Sequence, residues 1–116
     1  MVSDDPADEI LREDSPARQV IDLFSRKWLL LVVYALFPGT RRLSQLQRAI
    51  EGISQKMLVQ TLRELEERGF VTRTVHPVVP PRVEYTLTPL GESLREPVVV
   101  MCRWGNAHLA AERARA

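Results

Sequence analysis

The sequence predicts a mainly α-helical single domain with one small β-hairpin, an α+β fold. Three observations predict it. Helix start and stop signals recur: Ser15-Pro16, Ser54 and Thr88-Pro89 open helices, and Pro38-Gly39, Gly52 and Gly69 close them. Between Phe70 and Leu87 apolar residues alternate instead, on both sides of a proline-rich loop. The 116 residues are 45% apolar, enough for one buried core and too few for a second domain.

The elements follow in order. Residues 1–14 are charged and aperiodic and read as a disordered acidic arm. The ordered domain is expected over residues 15–113. After Ser15, Val20, Ile21 and Phe24 share one helical face. A second helix, from Arg26 to Phe37, is apolar nearly all round and therefore central. A short extended stretch at Arg42-Leu43 leads to Ser44-Gln-Leu-Gln47, a capping-box pattern with Ser44 as the N-cap. That helix turns Leu46 and Ile50 inward and ends at Gly52. Residues 54–68 form a longer amphipathic helix with Met57, Leu58, Thr61, Leu62 and Leu65 at 3–4 spacing. Two strands then flank the loop of Pro77, Pro80 and Pro81, over residues 70–87. A final helical region, residues 88–113, is kinked or restarted at Pro97.

Composition excludes several classes. The longest apolar run, Trp28 to Phe37, is ten residues, half of a membrane span. One cysteine, Cys102, allows neither an intrachain disulfide nor a cysteine-cluster metal site. His76 and His108 lack partners at ligand spacing, so no metal and no cofactor are expected. No nucleophile elbow, phosphate-binding loop or zinc-protease motif is present, and no enzymatic activity is expected. The N-terminus has no basic and apolar signal segment, so the expected location is the cytoplasm.

The net charge of +1 hides an asymmetry. Residues 1–14 carry −5 and the remainder +6. Fourteen of the sixteen bases are arginines, suited to phosphate and guanine, although a GC-rich genome enriches arginine everywhere. Two helices joined by Gly52-Ile53 and followed by a hairpin describe a winged helix-turn-helix, whose second helix enters the DNA major groove. The outward side of the 54–68 helix carries Gln55, Lys56, Val59, Gln60 and Arg63, residue types that read base edges. Ser54 offers a phosphate the helix N-terminus. Arg41, Arg42, Ser44 and Arg82 complete the candidate DNA contacts, with Arg48 and Arg73 also available for phosphates. Arg82 is expected to stand out from a stiff Pro-Pro-Arg tip. Glu64, Glu66 and Glu67 would repel phosphate, which confines the groove contact to the first two or three turns.

These residues carry a resemblance. Ile53-Ser-Gln-Lys-Met-Leu-Val-Gln-Thr-Leu-Arg-Glu-Leu-Glu-Glu-Arg-Gly69 resembles the recognition region of HxlR-type transcriptional regulators. Pro80-Pro-Arg-Val-Glu-Tyr-Thr-Leu-Thr-Pro-Leu-Gly91 resembles their wing, and Arg26-Lys-Trp28 and Trp104-Gly105 match as well. The resemblance implies a dimeric regulator, related in fold to the MarR group, that dimerises through its first and last helices. Repression is the expected outcome. Many such proteins sense thiol chemistry through a cysteine preceding a proline at the start of the first helix. Here that position is Ser15, which forms no thiolate, so sensing there is excluded.

Val20, Ile21, Phe24, Val100, Met101 and Trp104 supply the apolar surface for a homodimer interface. Cys102, within an apolar helical stretch, reads as a buried structural thiol, with a Cys102–Cys102 bridge between two copies as the alternative. A small-molecule effector is compatible with the sequence, which leaves its identity open. The alternative function is a winged-helix module that binds protein; apolar or acidic residues on the outer helix face would mark it.

Overall fold

The computed structural model describes residues 9–115, with side chains placed as far as residue 110. Among the described residues, six helices and three short strands succeed one another as α1 (Pro16–Phe24), α2 (Lys27–Leu36), β1 (Arg41–Arg42), α3 (Leu43–Ala49), α4 (Gln55–Glu67), β2 (Val71–His76), β3 (Arg82–Leu87), α5 (Pro89–Glu92) and α6 (Arg95–Arg115). Of the acidic arm, residues 1–8 lie outside the described residues. Residues 9–14 form a turn in which the Arg12 N–H donates to the Glu9 carbonyl (2.9 Å).

Local caps set most helix starts. The Ser15 hydroxyl accepts from the Ala17 N–H (3.1 Å), and the Ser54 hydroxyl from the Met57 N–H (3.0 Å). Thr88 accepts from the Gly91 N–H (3.2 Å) and donates to the Gly69 carbonyl, so one hydroxyl starts α5 and anchors the end of the preceding turn. Each satisfies a donor that the first helical turn leaves free. The capping box of α3 lies earlier than expected. Arg42, not Ser44, is the N-cap residue, and the Gln45 side chain accepts from the Arg42 N–H (2.8 Å). Strand pairing causes this shift, because Arg42 is held in extended geometry opposite Glu84. Gln47, the expected partner of Ser44, instead donates to the Ile53 carbonyl (2.8 Å) and braces the turn between α3 and α4.

The sheet has the order β1-β3-β2, with both pairs antiparallel. The hairpin expected over 70–87 therefore gains a third, two-residue strand. Its ladder runs from Val71↔Leu87 to His76↔Arg82, and the Val79–Pro80 peptide in the connecting loop is cis.

The core lies between α2, α4 and the sheet. Leu29, Val32, Val33 and Leu36 of α2 meet Leu46 of α3, Leu58, Leu62 and Leu65 of α4, and Val71 and Tyr85 of the sheet. At 25 cal/mol per Å² such side chains contribute about 2 kcal/mol each on burial. Gly91 is packed so closely that an added Cβ would collide with the Phe70 carbonyl and the Leu87 side chain.

Three expectations are corrected. The second helix is not buried all round: Leu31 and Tyr34 are exposed, because only one side of α2 meets the core. The C-terminal helix restarts at Arg95, not at Pro97, which sits in the first turn where its missing N–H costs nothing. Cys102 is exposed, because α6 leaves the core after Val98 and turns the thiol outward. The base of α6 is pinned where Arg95 donates to the Phe37 carbonyl (2.7 Å) and stacks over the Phe37 ring (4.7 Å).

Candidate nucleic-acid interface

Helix α4 presents two opposed faces. Leu58, Thr61, Leu62 and Leu65 are buried against α2 and α3. Gln55, Lys56, Gln60 and Arg63 are exposed on the other side and, with Val59, line one shallow concavity. Met57, expected inward, is on the boundary and partly exposed. Ser54 stands at the N-terminus of this face, its hydroxyl already engaged by the Met57 N–H. Among the described residues no carboxylate lies within ion-pair distance of Lys56 or Arg63. Their charges are therefore available to an incoming anion.

Arg63 also lines a trough between α4 and the sheet with Val59, Glu66, Arg73 and Tyr85. Helix and hairpin thus present arginines to the same cleft. Arg41 lies apart from it, in a second concavity with Thr40, Gln45 and Arg48. Arg42 is exposed at the end of β1, and Ser44 is exposed in the first turn of α3. Arg82 departs from expectation. It does not stand free at the loop tip but opens β3, half-buried, with its Nε 3.1 Å from Glu84 Oε1. The tip itself is apolar, with Val79 wholly exposed between prolines.

The acidic end of α4 is not uniform either. Glu64 receives a two-pronged contact from Arg26, with Nη1 to Oε1 at 2.9 Å and Nη2 to Oε2 at 2.6 Å. Arg26 stands 38 residues away, at the junction of α1 and α2, and nothing in the local sequence signals the pairing. That hydrogen bonding holds the Glu64 carboxyl below its ordinary range, against a smaller opposing effect of burial. One of the three acids set apart as phosphate-repelling is thus neutralised within the fold.

Helices α1 and α6 carry a second kind of surface. Val20, Ile21, Val100, Met101 and Trp104 are each about half exposed, as is Leu109. Phe24 is partly buried and packs against the core. It lines an apolar groove with Leu30, Leu31, Tyr34, Val98, Met101 and Cys102. Trp104 stacks on His108, with ring centroids 5.1 Å apart. The Leu31 and Tyr34 contribution was missed in the sequence. Its signal was the excess of apolar residues on α2 over what one buried side requires.

The helix pair α3–α4 with a three-stranded sheet behind it defines a winged helix-turn-helix DNA-binding protein of the transcriptional regulator class. The HxlR-like helix-turn-helix family matches residues 23–113, and the chain belongs to that family. It is 46% identical over 95 residues to the HTH-type transcriptional regulator YtfH of Escherichia coli (strain K12), covering 82% of this chain and 75% of that one. Among solved structures, the transcriptional regulator ytfH from Salmonella typhimurium superposes with a TM-score of 0.75 at 42% identity, covering 90% of this chain and 93% of that one. A MarR-family regulator from Porphyromonas gingivalis W83 gives the same TM-score of 0.75 at 38% identity, over 84% of this chain and 94% of that one. Membership makes the chain a transcriptional regulator and not an enzyme. No helix among the described residues is long and apolar enough to cross a membrane.

Proposed function

We propose that the protein is a repressor that binds a pseudo-palindromic operator as a homodimer, with α4 as its recognition helix in the major groove. The observation that carries this reading is the outward face of α4. It offers amides, a lysine and an arginine without internal partners, beside a cleft that the sheet lines with a further arginine. Glutamine pairs with adenine edges, and lysine or arginine with guanine. Arg41, Arg42 and Arg48 contribute phosphate contacts that fix register without reading sequence. Exposed apolar side chains of α1 and α6 support the dimer: monomeric surfaces scatter such residues singly, whereas here Met101 joins Leu31 and Tyr34 in an apolar groove. A twofold dimer sets its recognition helices about 34–36 Å apart, one turn of DNA.

The test is a salt titration of binding to a fluorescent duplex from the gene's own upstream region, beside a scrambled duplex. Preference for the native duplex by roughly 10³ or more is expected for a specific regulator. Lys56→Ala and Arg63→Ala should each weaken native-duplex binding by about 1–3 kcal/mol with unchanged melting temperature. Equal, weak binding to both duplexes, or undiminished affinity in both variants, would remove α4 from the role. Transcription from the same promoter in vitro should fall as protein is added; a rise would replace repression by activation.

A further inference from the structure

We propose that Glu84 is a positioning residue that holds the Arg82 guanidinium in its DNA-binding orientation, an inference that rests on the DNA-binding reading of the hairpin. Glu84 occupies the central strand, and its register partners are Arg42 on β1 and Thr74 on β2. Residues paired directly across a ladder share a face, as do residues two apart on one strand. Arg42, Arg82 and His76 therefore share one side of the sheet with the Glu84 carboxylate.

Two of the three converge on a single oxygen. Arg82 Nε lies 3.1 Å and His76 Nε2 lies 3.4 Å from Glu84 Oε1. Both nitrogens are shut off from solvent, and neither has a well-aligned hydrogen bond among the described residues. For Arg82 the attraction is thus one of charge and proximity, with Glu84 the one carboxylate within ion-pair distance among the described residues. It grips the arginine by its inner nitrogen. Among the described residues the terminal nitrogens of Arg82 make no hydrogen bond to a carboxylate, on a side chain that is 41% exposed. An arginine has five N–H donors; with Nε turned inward, the four terminal ones remain for a phosphate fork.

The proposal predicts an effect opposite in sign to simple electrostatics. An acid on a DNA-binding face repels phosphate, so its removal should strengthen binding. If Glu84 positions Arg82, removal should weaken binding, because the long side chain must then be ordered at the moment of association.

The experiment measures native-duplex affinity and its salt dependence for the wild type, Glu84→Gln, Arg82→Ala, Arg82→Lys and the Arg82→Ala/Glu84→Gln double variant, with melting temperatures as a check on folding. Glu84→Gln should weaken binding roughly threefold to tenfold, the cost of ordering one long side chain at an interface. The logarithmic salt slope should stay that of the wild type, since Arg82 still reaches its phosphate once ordered, whereas Arg82→Ala should flatten it by about one. In the Arg82→Ala background the same change should leave affinity unchanged or raise it. Arg82→Lys, whose single ammonium cannot face Glu84 and fork a phosphate at once, should bind less tightly than the wild type. Tighter binding by Glu84→Gln, an equal loss in the Arg82→Ala background, or wild-type affinity in Arg82→Lys would overturn the proposal. An Arg82→Ala variant with undiminished affinity would overturn the DNA-binding reading of the hairpin, and this inference with it.

Discussion

Removing the Arg26 guanidinium tests how α4 is tied to the rest of the domain. The Arg26–Glu64 contact joins the α1–α2 junction to the last turns of α4 through two hydrogen bonds of 2.9 and 2.6 Å. Its side chains are 50% and 31% exposed, so solvent screens the pair. Exposed ion pairs contribute about 0.2–1 kcal/mol, and the two-pronged geometry puts this one near the upper end. At about 2.1 cal/mol/K per residue of unfolding entropy, a loss of about 1 kcal/mol lowers Tm by roughly 4 °C. The pH dependence follows from the lowered Glu64 carboxyl. A carboxylate depressed by folding stabilises above its unfolded pKa of about 4.3, and that stabilisation is lost as pH falls through the folded value. Circular-dichroism melts of the wild type, Arg26→Ala, Glu64→Gln and the double variant, at fixed protein concentration, provide the cycle. The gap between the wild type and Arg26→Ala should be widest near pH 7 and narrow between about pH 5 and about pH 3. A coupling near zero, or a gap of the same width at about pH 3 and about pH 7, would refute the reasoning.

Two further outcomes follow from packing. Gly91→Ala should destabilise by about 1–3 kcal/mol, since the new methyl must displace the Phe70 backbone or the Leu87 side chain; a urea midpoint equal to that of the wild type would show that α5 can shift. Ile21→Asp, on the exposed apolar face of α1, should move sedimentation from dimer to monomer at micromolar concentration while the far-ultraviolet spectrum is retained; an unchanged sedimentation coefficient would exclude this face from the interface.

Much of the fold was legible because its signals are local. As caps, Ser15, Ser54 and Thr88 accept from N–H groups two or three residues on, and the 3–4 spacing of Leu58, Thr61, Leu62 and Leu65 selects one side of α4 without reference to the rest of the chain. The misplaced cap of α3 shows where local reading stops. Ser44 and Gln47 have the right chemistry, but the backbone is already committed at Arg42 by a strand 42 positions away. The Cys102 error has a similar origin. A run of Val98, Val99, Val100 and Met101 promises burial only if something lies on every side of the helix, and only Val98 is buried. The α4 face was read from the spacing of Gln55, Lys56, Gln60 and Arg63. The pairings Arg26–Glu64 and Arg82–Glu84 were not, because charged residues signal no partner until the backbone brings them together.

The opposed faces of α4 have a consequence for how such a protein diversifies. The residues that hold the helix in place and those that face outward form nearly disjoint sets, separated by about half a helical turn. Exposed substitutions away from specific contacts generally change stability by less than about 0.5 kcal/mol. Gln55, Lys56 and Gln60 can therefore be exchanged with little effect on folding. Under the proposed role of α4, descendants of a duplicated copy can wander towards new operators while the scaffold remains the same, and a designer can randomise these three positions as a library without first stabilising the parent.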